Sequence, residues 1–194
     1  MVDPPRIQVR PLTEALLGDY LHFFDKKAFT DNPRWAFCYC YFPYHDPDKM
    51  DWQKRTGPEN RAAISACVRD GRAQGYLAYA GTEVVGWCNA APRRLYPMLD
   101  ELPVPDAEIT GSIFCFIVAP DYRGKGIAKA LLSAACAGLR ARGMRVVEAK
   151  PVKDAQSDAA NHYGPLSLYL AARFSIVRED GDGNVFVRKS LDDR

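Results

Sequence analysis

No run of apolar residues in this chain approaches the roughly eighteen that a membrane-crossing helix needs, so no spanning segment and no membrane partner are expected. The opening residues, Met1-Val2-Asp3-Pro4-Pro5-Arg6, lack the basic start and apolar stretch of a signal peptide, and a cytoplasmic location is expected. A bias of charge is missing too. The 26 Lys and Arg stand against 24 Asp and Glu, a net of +2, which argues against nucleic acid as a partner. No Gly-Lys-Ser/Thr follows the glycine-rich turn described below, so it is not a P-loop. Gly-x-Gly-x-x-Gly is absent as well, which excludes the dinucleotide fingerprint. There is no internal repeat, no low-complexity tract and no second domain, and the 194 residues fit one domain, 1–194, with a real core.

What is present centres on Val118-Ala119-Pro120-Asp121-Tyr122-Arg123-Gly124-Lys125-Gly126-Ile127-Ala128. A β-type stretch, Ser112 to Val118, precedes it, and a helix former, Ala128 to Arg142, follows. Pro120 stops the strand by removing a hydrogen-bond donor. Gly124 and Gly126 permit backbone angles that side chains forbid. The first turn of the helix then presents free N–H groups and the positive end of its dipole, a site for phosphate or pyrophosphate. On glycine spacing alone, an ordinary tight turn fits as well.

Arg123-Gly124-Lys125-Gly126-Ile127-Ala128 matches Arg/Gln-x-x-Gly-x-Gly/Ala and resembles the acetyl-CoA pyrophosphate loop of the GNAT superfamily of N-acetyltransferases. Leu168-Tyr169-Leu170-Ala171-Ala172-Arg173-Phe174 is similar to that superfamily's Leu-Tyr-x-x-x-Gly-Phe, in the right order and spacing. The resemblance covers roughly residues 75 to 190. It implies an α/β fold: a mixed, mostly antiparallel central sheet splayed between the fourth and fifth strands, with helices on both faces.

The rest of the chain fits that expectation. Arg6 to Arg10 alternates as a first strand, and Pro11-Leu12-Thr13-Glu14 opens a helix with Thr13 as candidate cap. Pro58-Glu59-Asn60-Arg61 starts a second helix ending at Asp70-Gly71. Gln74–Ala80 and Glu83–Ala90 form a hairpin around Gly81-Thr82. Pro92 to about Ile109 is a long loop, and its Arg93 and Arg94 read as surface charge, with an acidic acceptor or the CoA 3′-phosphate as the alternative. Met144 to Lys150 is the next strand, in a right-handed crossover. Val152 to Asn161 reads as a polar, mobile loop. A helix to Ala172 and a closing hairpin around Asp180-Gly181-Asp182-Gly183-Asn184 complete the chain.

Trp35 to His45 packs six aromatic rings, two cysteines and a histidine into eleven residues. Cys38, Cys40 and His45 could ligate a metal, but no second Cys/His cluster completes a site, and no metal is expected. Aromatic packing is the plain reading. In the resembled fold this segment lines the acceptor site, which makes Trp35 and Tyr39 candidate acceptor contacts for a flat or apolar partner, with Trp87 and Asn89 of the Glu83–Ala90 strand as further candidates. The six cysteines, in a chain this long with no signal peptide, read as free thiols.

The resemblance implies acetyl transfer from acetyl-CoA to a primary amine, by direct attack in a ternary complex. Backbone N–H groups from Arg123, Gly124, Lys125, Gly126, Ile127 and Ala128 would hold the diphosphate. N–H groups near Ile117 and Val118 would polarise the thioester carbonyl. Tyr169 matches the family's general acid. Many relatives carry a glutamate on the strand that here reads Ser112 to Val118, and this strand has none. Glu148, His45, His162 or a water relay are the candidates for the base. Cys115 would be the nucleophile of a ping-pong route. Arg173 stands where the family has glycine, which puts the turn after that helix in question. The acceptor is a small-molecule or peptide amine, and a homodimer is possible by analogy. A module that binds acyl-CoA without transfer is the alternative function.

Overall fold

The computed structural model describes residues 6–99, 102, 104–153, 157, 160–181 and 183–192. Within them the chain runs β1 (Ile7–Pro11), α1 (Leu17–Lys26), α2 (Gly57–Arg69), β2 (Gly75–Ala80), β3 (Glu83–Pro92), β4 (Thr110–Val118), α3 (Ile127–Ala141), β5 (Val146–Ala149), α4 (Leu166–Ala171), β6 (Ser175–Glu179) and β7 (Val185–Ser190), with short 3₁₀ turns between them. Part of the loop from Val152 to Asn161, part of the Pro92–Ile109 loop and Asp182 of the closing turn lie outside the described residues.

The strands form one sheet in the order β1-β2-β3-β4-β5-β7-β6. Every neighbouring pair is antiparallel except β4 and β5. All of β2 and nearly all of β3 is buried, because helices cover both faces. Leu77 and Tyr79 join the core beneath α1 and α2, while Tyr76, Ala78 and Ala80 join the core beneath α3. Glycine brings α3 down onto the sheet: a Cβ on Gly138 would lie 1.7 Å from the Tyr76 hydroxyl, and one on Gly86 would lie 2.8 Å from Ile127.

The split between β4 and β5 has a simple geometric origin. β5 is four residues long and pairs only with Thr110 to Ile113. Phe114 to Val118 therefore run on without a neighbour on that side. A bulge adds to the divergence, since Asn89 pairs with Cys115 and Ala90 with Ile113, leaving Phe114 as the extra residue.

Two expectations need correction. Thr13 makes no side-chain cap, and the segment opens as a 3₁₀ turn, Glu14–Leu16, before α1. Arg93 is not surface charge: it is 6% exposed and pairs with Glu148. The second helix starts on a capping box, Thr56 with Glu59, one residue ahead of Pro58. All six cysteines are free thiols.

Candidate active site

The unpaired stretch of β4 forms the floor of a cleft of about 620 Å³. Strand alternation decides which amides face it. Ala119 donates to Val85 of β3, so Ile117, two residues earlier, also turns its N–H toward β3. The Val118 N–H turns the other way, into the gap. Ile117 thus offers the cleft its side chain, and Val118 offers its amide.

The glycine-rich turn closes one end. Gly124 and Gly126 adopt φ of +70° and +78°, and a Cβ on either would meet nothing within 4 Å. The glycines are there for backbone angle and for an open approach. Gly126 caps α3, so the first free amides of a 15-residue helix point into the cleft. Arg123, Gly124, Gly126, Ile127 and Ala128 all line it. Lys125 does not: its ammonium donates to the Asp121 carbonyl at 2.7 Å and sits over the Tyr122 ring. Lys129, one helical turn further on, lines the cleft in its place, a position that helical spacing from Lys125 would have suggested.

Arg123 reaches Asp31 at 2.5 Å and the Val118 carbonyl at 3.2 Å. That arginine holds the Asp31 carboxyl below the usual carboxylate range. Asp31 lines the same cleft and lies far away in sequence, where no local pattern singles it out.

Tyr169 is fully buried on α4, between Phe116 and Phe174. Its hydroxyl donates to the Tyr163 carbonyl at 2.6 Å. Burial pushes its phenol well above the ordinary value, so it keeps its proton. Gly164 separates it from the cleft: a Cβ there would stand 3.1 Å from both the Tyr169 and the Phe116 rings. The turn after α4 forms despite Arg173, which takes φ +64°, while Phe174 N–H bonds back to Tyr169.

Glu148 lies apart from this cleft. It binds Arg93, accepts from Ser112 at 2.8 Å and faces Arg188 at 3.9 Å, in a separate cavity of about 600 Å³. Its Oε1 thus takes both hydrogen bonds, while Oε2 faces the Arg188 guanidinium. His45 is buried, with Nδ1 2.5 Å from the Phe42 carbonyl. His162 is placed differently: its ring lies 4.8 Å from Trp35 and 4.0 Å from Tyr163, in the wall of the cleft.

Beside the cleft lies a second cavity of about 340 Å³. The two share Phe29, Trp35, Ile117 and His162. Of the expected acceptor contacts, Trp35 alone reaches it. Tyr39 turns away and donates to Asp25 at 2.7 Å. Trp87 lies below the cavity floor, edge-on to Tyr20. Asn89 is a buried hub that accepts from Tyr44 at 2.8 Å and Tyr96 at 2.6 Å. Phe37 and Phe42 of the same Trp35–His45 segment line the cavity, joined by Trp52, Phe114 and Tyr163 from elsewhere in the sequence.

Cys38, Cys40 and Cys115 also line this cavity. Burial acts to raise the Cys40 thiol, but its neighbours Cys115, Asn89, which donates to it at 3.2 Å, and Trp87 hold it below the ordinary value. The half-buried Cys115, beside Cys40, is pushed well up, and Cys38 is pushed up by burial to about 12. A protonated Cys115 is a poor nucleophile. Among the described residues no cluster of three or more His, Cys, Asp or Glu could hold a metal ion.

Solved structures that share this fold include acetyltransferases. An N-acetyltransferase from Staphylococcus aureus Mu50 is 17% identical, covering 96% of this chain and 99% of its own, with a TM-score of 0.57. The PaiA N-acetyltransferase of Thermoplasma acidophilum, in complex with coenzyme A, is 15% identical, with coverages of 95% and 99% and a TM-score of 0.57. The Salmonella typhimurium protein yncA, with its cofactor acetyl-CoA, is 17% identical, with coverages of 97% and 95% and a TM-score of 0.55. No curated protein matches the chain in sequence. The family model for the GNAT acetyltransferase family matches residues 30–164, and the chain belongs to that family. It is therefore an acyltransferase by family.

Proposed function

We propose that this protein transfers an acetyl group from acetyl-CoA to a primary amine by direct attack. One observation carries the reading: a cleft with a phosphate-binding loop at one end adjoins an aromatic cavity, and the two meet at Trp35, Ile117 and His162. The diphosphate fits the open turn at Gly124 and Gly126 and the first amides of α3, with Arg123 and Lys129 as cationic partners. The pantetheine arm fits the gap beside β4, and the Val118 N–H polarises the thioester carbonyl. The amine enters from the aromatic cavity, and its nitrogen attacks the carbonyl carbon. His162, at the junction, accepts the proton. Tyr169, kept protonated by burial, is the acid for the leaving thiolate, and its motif position supports this role.

The second reading, a module that binds acyl-CoA without transfer, draws on the engagement of Tyr169 with Tyr163 and of Glu148 with Arg93. Initial rates at varied acetyl-CoA and amine separate the possibilities. Intersecting reciprocal plots are expected. Parallel plots would mean an acetylated enzyme, and binding without turnover would leave the module. Cytoplasmic location belongs to the same proposal: among the described residues no helix is long and apolar enough to cross a membrane. Pairing of two copies would use the exposed edge strand β6, where Ile176 and Val177 are 43% and 56% exposed. Sedimentation measures that directly.

A further inference from the structure

The second cavity has a chemistry of its own. Phe42 packs edge-on to Trp52 at 5.0 Å, Phe37 lies 5.7 Å from Trp52, and Phe114 lies 5.6 Å from Tyr163. These rings form a slot between the Trp35–His45 segment and the bulge of β4. Its volume of about 340 Å³ suits one or two fused rings. Among the described residues its lining carries no carboxylate and no cationic side chain; the polar groups are the three thiols, His162 and Tyr163. Tyr163 is held neutral, its phenol pushed up by burial to about 12.

An alkylamine arrives at neutral pH as an ammonium ion. To react here it must shed its water and its proton in a slot with no opposite charge to receive it. Ring faces attract a cation, but they recover only part of that desolvation cost. An amine on an aromatic ring is different, because its lone pair is delocalised and it is neutral at pH 7. It also stacks on the rings that line the slot.

Resting on the acetyl-transfer reading, we infer that the acceptor is a neutral, weakly basic aromatic amine of one or two rings, bound in the slot between Phe37, Trp52, Phe114 and Tyr163. Its nitrogen forms the C–N bond with the thioester carbon while still carrying both protons. The C–S bond then breaks, and the sulfur leaves with the electron pair. The nitrogen, acidified by bond formation, loses one proton through His162, and the thiolate gains one. No prior deprotonation is needed, so a strand carboxylate has no task on this route.

The test compares 4-methoxyaniline with 4-methoxybenzylamine, which differ by one methylene and by charge at pH 7. The expected kcat/KM ratio at pH 7 is at least tenfold in favour of the aniline. The aniline should give a flat profile from pH 6.5 to 8, while the benzylamine rate rises about tenfold per pH unit with its neutral fraction. A faster benzylamine at pH 7 would overturn the inference. A Phe37→Asp variant adds the missing carboxylate at a wall position that is 37% exposed. It should shift the ratio at least tenfold toward the benzylamine, and an unchanged ratio would put the acceptor elsewhere. Calorimetry on the same sample with acetyl-CoA and with 4-methoxyacetanilide, the product, separates the two levels. Acetyl-CoA binding without acetanilide binding removes only the acceptor class. Failure of acetyl-CoA to bind removes the transfer reading and the acceptor class together.

Discussion

Tyr169 packs between Phe116 and Phe174, and burial raises its phenol well above an ordinary value of about 10 at which it is already protonated at neutral pH. Gly164, which has no side chain, stands between its ring and the cleft. Tyr169→Phe keeps the packing and removes the O–H. We expect kcat to fall by about 100-fold, in line with general acid catalysis, with KM for acetyl-CoA changed less than threefold. Unchanged constants would assign the acid to another group. At this scale the sequence was informative where a backbone angle decides, as at Gly126 with its φ of +78°. It was silent where a role depends on contacts across the fold. Glu148 sits at a plausible strand position, yet its engagement with Arg93 is a contact between a loop and a strand 55 residues apart. Trp87 and Asn89 lie on a strand buried on both faces, where alternation no longer separates core from site.

The turn after α4 is a case where an element overrides the preference of a residue. Arg173 takes φ +64° because the bonds from its own amide to Leu170 and from Phe174 to Tyr169 require it. A left-handed side chain costs about 1–2 kcal/mol. Arg173→Gly should recover most of that, raising Tm by about 2–4 °C for a chain of this size. A lower Tm would mean that the arginine side chain contributes more than the strain costs. Strands and helices were largely legible in the sequence, because Pro120, Gly143 and Asp70-Gly71 stand at their ends. The Trp35–His45 segment was not. Its 3₁₀ turns, Pro33–Cys38 and Phe42–Tyr44, are too short to show a period, and its rings meet partners on β4 and beyond.

For the molecule as a whole, charged contacts fasten together the elements that cover one face of the sheet. Asp25 of α1 binds Arg61 of α2 at 3.0 Å and accepts from Tyr39 at 2.7 Å, which fastens the aromatic segment to both helices. The Asp25 carboxyl is lowered first by the Arg61 hydrogen bond, against the raising effect of burial, with the Tyr39 hydrogen bond adding a smaller lowering. A depressed carboxyl contributes stability fully above its unfolded value, about 3.9, and loses it as pH falls through the lower folded value. Urea unfolding should therefore be flat from pH 7 to about 5 as far as this group is concerned, and weaken below about 4. Asp25→Asn should flatten the acid side of the profile, and an unaltered acid slope would show that other carboxylates set it.

The split sheet was foreseeable from the family resemblance, but its cause, a four-residue β5 against a nine-residue β4, emerges only from the pairing. The central claim is that this split, with the turn at Gly124 and Gly126, receives acetyl-CoA. The most direct measurement is isothermal titration of acetyl-CoA into the wild-type protein and into Gly126→Asp, which sets a carboxylate at the helix start. Micromolar binding to the wild type, weakened at least tenfold in the variant, is the predicted result. No binding, or equal binding to both proteins, would contradict the account.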